Sequence, residues 1–268
     1  MPELPEVETV LRTLENQIKD RQITKVHVYY DKLILGDARE FEEKMTGEHF
    51  REFERRGKYL IFRMDHGTFV SHLRMEGKYY LMKPEEPLTR HMHAVFDLDD
   101  GRQLRYNDTR KFGRMKLYPL DYDFTVLKDL GPEPFWPSFN AQYMHAYRKG
   151  RSEPIKSMLL DQSFAAGIGN IYADEICAAC HIRPGRSVKY LTKKDDENIV
   201  RETKRILKEA IAAGGTTIRT YTSSLGVTGR FQTECTVHMQ KICPRCGSAI
   251  KVKYIGGRSS YYCPHCQK

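Results

Sequence analysis

Val7, Val10, Leu11, Leu14 and Ile18 recur at intervals of three, four and seven along the start of the chain. That spacing puts them on one stripe and predicts an amphipathic helix over residues 5–18. The pattern then changes period. Short runs over 23–30, 49–56, 59–64, 68–74, 79–82, 94–98 and 102–107 read as strands. Turn signals such as Asp65-His66-Gly67 and Asp99-Asp100-Gly101 separate them. Many short strands at close spacing predict an antiparallel sandwich or barrel.

The stretch Leu130-Gly131-Pro132-Glu133-Pro134-Phe135-Trp136-Pro137 breaks this pattern and marks a domain boundary. Beyond it the periodicity is helical, over 155–161, 171–179 and 193–213. The last has Ile199, Ile206, Leu207 and Ile211 as its apolar face and stops at Gly214-Gly215. Residues 216–232 are rich in Thr, Ser and Gly and read as a loop. No internal repeat is present.

The C-terminal region carries Cys243-Pro-Arg-Cys246 and, sixteen residues on, Cys263-Pro-His-Cys266. Two Cys-x2-Cys knuckles at this separation predict a four-thiolate tetrahedral zinc site. Four cysteines leave no open coordination position, so the ion is structural, and His265 is not needed as a ligand. Between the knuckles, residues 249–254 and 259–262 alternate as a β-hairpin turning at Gly256-Gly257, with Arg258 at or just past the turn. Arg245, Lys251, Lys253, Arg258 and Lys268 make the finger basic, which suits phosphate contact, although a charged loop residue is commonly just solvated. Cys177, Cys180 and Cys235 form no second set of knuckles and read as core or free thiols.

The first residues, Met1-Pro2-Glu3-Leu4-Pro5-Glu6, bear on chemistry. A proline behind the initiator allows Met removal, leaving a secondary amine at the start of the chain. An α-amino group near pKa 8 is partly neutral at physiological pH and can attack carbon to form a Schiff base. Glu3 and Glu6 stand beside it as proton donors. Taken alone, the same six residues also read as prolines opening a helix.

Charge adds a partner. The 268 residues hold 44 Lys and Arg against 35 Asp and Glu, a net charge of +9. A basic excess of this size suggests a polyanion, nucleic acid before anionic membrane. No apolar run reaches the roughly 18 residues of a membrane span, and no signal peptide is evident, so a cytoplasmic protein is expected.

Four further segments carry candidate chemistry. Gly167-Ile168-Gly169-Asn170 separates two helical stretches, where glycines permit a tight turn and a helix N-terminus presents amides to an anion. Arg55-Arg56-Gly57-Lys58 is a basic turn between strands, with Lys58 a second amine, an acid or a phosphate contact. Ser71-His72-Leu73-Arg74-Met75-Glu76-Gly77 and Asn107-Asp108-Thr109-Arg110-Lys111-Phe112-Gly113 place Arg, Met and Phe near strand ends. Enzymes that act on a base extrude it from the stack, and intruding side chains of these types fill the gap.

Together these motifs resemble the bacterial formamidopyrimidine-DNA glycosylase family, along the whole chain. The resemblance implies an α+β multidomain protein: an N-terminal antiparallel β-sandwich with an N-terminal helix, a helix–two-turn–helix domain and a four-Cys β-hairpin zinc finger. It places these at 1–131, 141–232 and 233–268, with a linker at 132–140. It implies excision of oxidised purines, 8-oxoguanine and formamidopyrimidines, from double-stranded DNA lying in a cleft, followed by β- and δ-elimination. Pro2 would be the nucleophile, Glu3 the acid at the sugar oxygen, Lys58 an aid to β-elimination, and Arg258 the finger arginine that grips phosphates and aids δ-elimination. His72, His91 and Asn170 would contact phosphates. Met75, Arg110 and Phe112 would fill the void, Arg110 facing the orphaned cytosine. Residues 216–232 would close over the lesion. Where some relatives have a run of lysines, this chain has Arg148-Lys149-Gly150-Arg151, leaving Lys149 or Arg151 as the DNA contact. One structural Zn2+ and a monomer are implied. The alternatives are a sister enzyme for oxidised pyrimidines and a catalytically inactive zinc-finger DNA-binding protein.

Overall fold

A computed structural model describes residues 1–124, 129–216, 231 and 234–268. These divide into two compact units, residues 1–2 with 6–124, and residues 3–5 with 129–216, 231 and 234–268.

Helix α1 spans Leu4–Ile18. The predicted stripe of Val7, Val10, Leu11, Leu14 and Ile18 is buried throughout. The rest of the first unit is β1 (Ile23–Val28), α2 (Ala38–Met45), β2 (Glu52–Arg56), β3 (Tyr59–Arg63), β4 (Gly67–His72), β5 (Lys78–Met82), β6 (Met92–Leu98), β7 (Gln103–Asn107) and β8 (Arg114–Pro119). They form two four-stranded sheets, ordered β1-β6-β7-β5 and β2-β3-β4-β8, antiparallel throughout. This is the expected sandwich. Its core is aromatic: Phe62 and Phe69, register partners on β3 and β4, stack at 5.2 Å, and Phe41 and Phe96 pack edge-on at 6.3 Å. Offset and edge-on aromatic pairs add to plain area burial.

The second unit holds α3 (Ala141–Arg148), α4 (Ile155–Leu160), α5 (Asn170–Ala179), α6 (Lys193–Ala212) and the hairpin β9 (Lys251–Ile255) and β10 (Arg258–Tyr262). Thr192 and Asp195 form a reciprocal capping box at the start of α6, and the chain leaves the helix at Gly214 and Gly215 as predicted. The hairpin turns at Gly256-Gly257, so Arg258 opens β10 opposite Ile255.

Three elements were not visible in the sequence pattern. Helix α2 is only eight residues long and buries two side chains, Phe41 and Met45. In α3 the packed stripe is aromatic, with Tyr143 and Tyr147 against Phe164. Strand β8 alternates Met115 and Leu117 with charged residues and pairs with β4. Strand ends also shift. The run expected over 68–74 stops at His72, because Arg74 takes a φ of 52° and turns away. Among the described residues no helix is long and apolar enough to cross a membrane.

Candidate functional site

Glu3 is almost fully buried, at 3 % exposure. Its Oε1 accepts a hydrogen bond from the Ile171 backbone N–H at 2.9 Å, and Oε2 accepts a longer one from Tyr172 at 3.4 Å. These amides belong to the first turn of α5, where helix N–H groups lack intrahelical partners and favour negative charge. The helix's own N-cap, Gly169, offers no side chain, so a carboxylate from the chain start does the capping. Only glycine fits there: a Cβ at 169 would lie 2.6 Å from Glu3 Cγ and Oε1. The Leu4 N–H donates to Gly167 O at 3.0 Å and fixes the same strand of chain. The Gly167–Asn170 turn therefore holds Glu3 in place. Asn170 opens α5, and its buried Oδ1 accepts no hydrogen bond from the described residues.

In the first unit, Lys58 sits in the two-residue turn between β2 and β3 and is buried, at 7 % exposure. His72 ends β4, edge-on to Tyr59 at 4.6 Å. Burial, with the nearby Arg74 and Lys58 charges adding to it, brings the His72 pKa down to about 3. The Arg74 backbone N–H donates to His72 Nδ1 at 2.9 Å. An acceptor at Nδ1 leaves the proton of the neutral ring on Nε2. His72 is thus a neutral hydrogen-bond donor.

Met75 and Phe112 line one open depression of about 370 Å³ together with Met1, Arg74 and Arg114. The chain start and two of the three predicted void-filling residues therefore line the same depression. Phe112 is half exposed, and the third, Arg110, stacks its guanidinium over the Phe112 ring at 4.7 Å. Asp108, fully buried, shapes their loop: Oδ1 accepts from Arg110 N at 2.9 Å and Oδ2 from Gly113 N at 2.8 Å. His91 is half-buried, and its Nε2 accepts from Arg90 Nε at 3.1 Å.

In the second unit, Lys149 and Arg151 line a basin of about 650 Å³ with Lys189 and His145. Arg151 is engaged with Glu153 at 3.2 Å and lies over the Tyr147 ring at 4.2 Å, whereas Lys149 makes no ion pair among the described residues. The neighbouring Arg148 is buried in a bidentate pair with Asp196, at 2.6 and 2.8 Å, and joins α3 to α6. Arg258 is exposed. The adjacent Ser259 carbonyl accepts from Lys156 Nζ at 2.8 Å, and Lys156 is itself paired with Asp174 at 2.7 Å, both fully buried.

The Sγ atoms of Cys243, Cys246, Cys263 and Cys266 all lie within 4.8 Å of one another, with Cys246 to Cys263 at 3.5 Å and Cys243 to Cys266 at 3.9 Å. Four thiolates about 2.3 Å from a tetrahedral zinc stand about 3.8 Å apart, so this set fits one zinc ion. His265 is not part of it. Cys177, Cys180 and Cys235 are buried and stand outside the four-thiol set, and burial raises Cys180 to about 12.

Sequence reasoning assigned no role to Asp108, although an Asp after a strand before a tight turn is a local Asx-turn signal. The Lys156–Asp174 pair had no such signal, since its partners come from different helices. The loop expected over 216–232 lies outside the described residues except for Thr216 and Phe231.

Family models match three consecutive parts of the chain: the formamidopyrimidine-DNA glycosylase N-terminal domain at residues 1–115, the formamidopyrimidine-DNA glycosylase H2TH domain at 130–222, and the zinc finger found in FPG and IleRS at 241–268. A formamidopyrimidine-DNA glycosylase of Bacillus licheniformis is 43% identical, with 100% of both chains covered. One of Oceanobacillus iheyensis is 41% identical, covering 100% of this chain and 98% of that protein. Among solved structures, Lactococcus lactis Fpg in complex with DNA containing an abasic site superposes with a TM-score of 0.93 at 35% identity over 99% of each chain. The wild-type Lactococcus lactis protein bound to DNA containing N7-benzyl-Fapy-dG gives 0.94 at 36% identity over 100% of each.

Proposed function

This chain belongs to the formamidopyrimidine-DNA glycosylase family, and on that premise we propose that it is a bifunctional DNA repair glycosylase and AP lyase acting on oxidised purines, 8-oxoguanine and formamidopyrimidines, in double-stranded DNA. The Pro2 amine attacks the anomeric carbon of the extruded nucleotide, and the damaged base leaves with its bonding electron pair. Glu3 takes the N–H proton of the attacking amine and gives it to the sugar oxygen as the ring opens. The resulting iminium acidifies the adjacent sugar carbon, whose proton is lost as the 3′ phosphate departs. A second elimination expels the 5′ phosphate. Lys58 assists the first elimination and Arg258 the second. Covalent catalysis by an amine divides one difficult displacement into easier steps.

The observation that carries this reading is the docking of Glu3. The residue directly after the proposed nucleophile is locked onto the first amides of α5, so an acid is held at a fixed place beside an amine in the sequence. Phosphates are gripped by His72, His91, Asn170 and either Lys149 or Arg151. Met75, Arg110 and Phe112 occupy the space the base vacates. Zinc serves the fold of the finger only. The proposed division is 1–131, 132–140, 141–232 and 233–268, in a monomeric cytoplasmic protein.

Borohydride trapping on a duplex with 8-oxoguanine opposite cytosine, followed by peptide mapping, tests the reading. A crosslink on the peptide beginning at Pro2 is expected. A crosslink at a lysine would move the nucleophile, and binding without a crosslink would favour an inactive binding module. Trapping only on oxidised pyrimidines would favour the sister enzyme.

A further inference from the structure

Loops 73–77 and 108–113 share one architectural position. The first leads from β4 to β5 and the second from β7 to β8, so each crosses from one sheet of the sandwich to the other. Because β4 pairs with β8 and β5 with β7, the crossovers run side by side, framed by the register pairs His72↔Arg114 and Lys78↔Asn107. The ladders end at those pairs. Within the loops, separation has to be set by side chains.

Tyr106, on β7, stands at that place. It is fully buried, and its ring packs on the Tyr79 ring of β5 at 5.2 Å. A Cβ on Gly77 or on Gly113 would overlap the Tyr106 hydroxyl. Gly77 closes the first loop, its N–H donating to Leu73 O at 2.9 Å, and Gly113 closes the second through Asp108. Each loop thus reaches the same phenol with the one residue type that permits the approach. On the outer side the Thr109 hydroxyl donates to the Glu76 carboxylate, joining the neighbour of Arg110 to the neighbour of Met75.

We infer that Tyr106 is a positioning residue: its hydroxyl is the common stop against which both loops close, and it sets the spacing of Met75 from Arg110 and Phe112. The inference rests on the proposed role of those three in filling the gap left by the extruded base. Misplacing such a group by an ångström is enough to alter rates severely. A shift in the spacing changes how Arg110 meets the orphaned base, so it changes discrimination of that base as well as overall rate.

Tyr106→Phe keeps the ring against Tyr79 and removes the hydroxyl that both glycines approach. With the zinc-loaded full chain, single-turnover excision of 8-oxoguanine is compared opposite cytosine and opposite adenine. The ratio of the two rates is expected to fall by about tenfold, with the melting temperature little changed. Gly113→Ala, which drives a methyl into the hydroxyl, should lower the ratio in the same direction. A wild-type ratio in both variants overturns the inference, and so does an equal loss on both duplexes, which a merely structural role would produce. Arg110→Ala is run alongside. If it too leaves the ratio unchanged, the reading of the trio fails and takes the inference with it. If it lowers the ratio while Tyr106→Phe does not, only the inference fails.

Discussion

Glu3 Oε1 lies 2.9 Å from the backbone nitrogen of Ile171, a residue 168 positions away in the chain. The contact exists because Gly169 has no side chain to block it. The backbone of Gly169 is extended, at a φ of −133°, so an alanine there meets no conformational penalty and acts only through the collision with Glu3.

Gly169→Ala should therefore behave as a displaced-Glu3 enzyme. Single-turnover excision is expected to drop by about a hundredfold, close to the loss in Glu3→Gln, with zinc content unchanged. Wild-type rates in Gly169→Ala would show that the docking of Glu3 is irrelevant to catalysis.

The tautomer of His72 has a consequence for acid stability. In the unfolded chain the ring titrates near 6.5, while the folded ring stays neutral down to about 3. A depressed histidine pKa means that the unfolded state takes up the proton first as pH falls. Its contribution to stability is whole above pH 6.5 and is lost progressively toward pH 3. His72→Gln lacks this loss, so between roughly pH 7 and pH 4.5 it should gain about 2 to 3 kcal/mol on the wild type in urea unfolding. An unchanged difference across that range would show that His72 protonates in the folded protein. Nitrogen NMR of the ring should find Nε2 protonated and Nδ1 bare at neutral pH.

Lys149 and Arg151 should separate in salt titrations of DNA binding. A side chain that neutralises a phosphate releases counterions, and its removal reduces the slope of log K against log salt by about one. Lys149→Ala is expected to do this. Arg151 is held by Glu153 and Tyr147, so Arg151→Ala should change the slope less. The opposite order would assign the contact to Arg151.

Zinc should bind one per chain and hold the finger. Chelation or Cys263→Ser is expected to release the ion, unfold residues 241–268 and weaken DNA binding by at least about tenfold, because ligand assembly and folding of such small modules are one event. The thermal transition of the β-sandwich should persist, since the buried cluster described for its core runs from Val7 to Met115. Retained DNA affinity without zinc would remove the finger from the interface.

What the sequence determined by itself is what local spacing can encode. The stripe of α1, the hairpin strands and their turn residues, the Thr192 start and glycine stop of α6, and the two cysteine knuckles all follow from residues within a few positions of one another. The zinc ligands were legible because thiolate chemistry and pair spacing allow few other readings. Helices α2 and α3 and strand β8 were not, because their few packed residues gain meaning only from the surfaces they meet. The tertiary structure alone decided that Glu3 caps α5, that burial and the Arg74 amide fix His72 as a neutral donor, and that Tyr106 separates the loops of Met75 and Phe112. Each of those depends on burial and approach between segments far apart in sequence, and no local pattern records which distant backbone a side chain will reach.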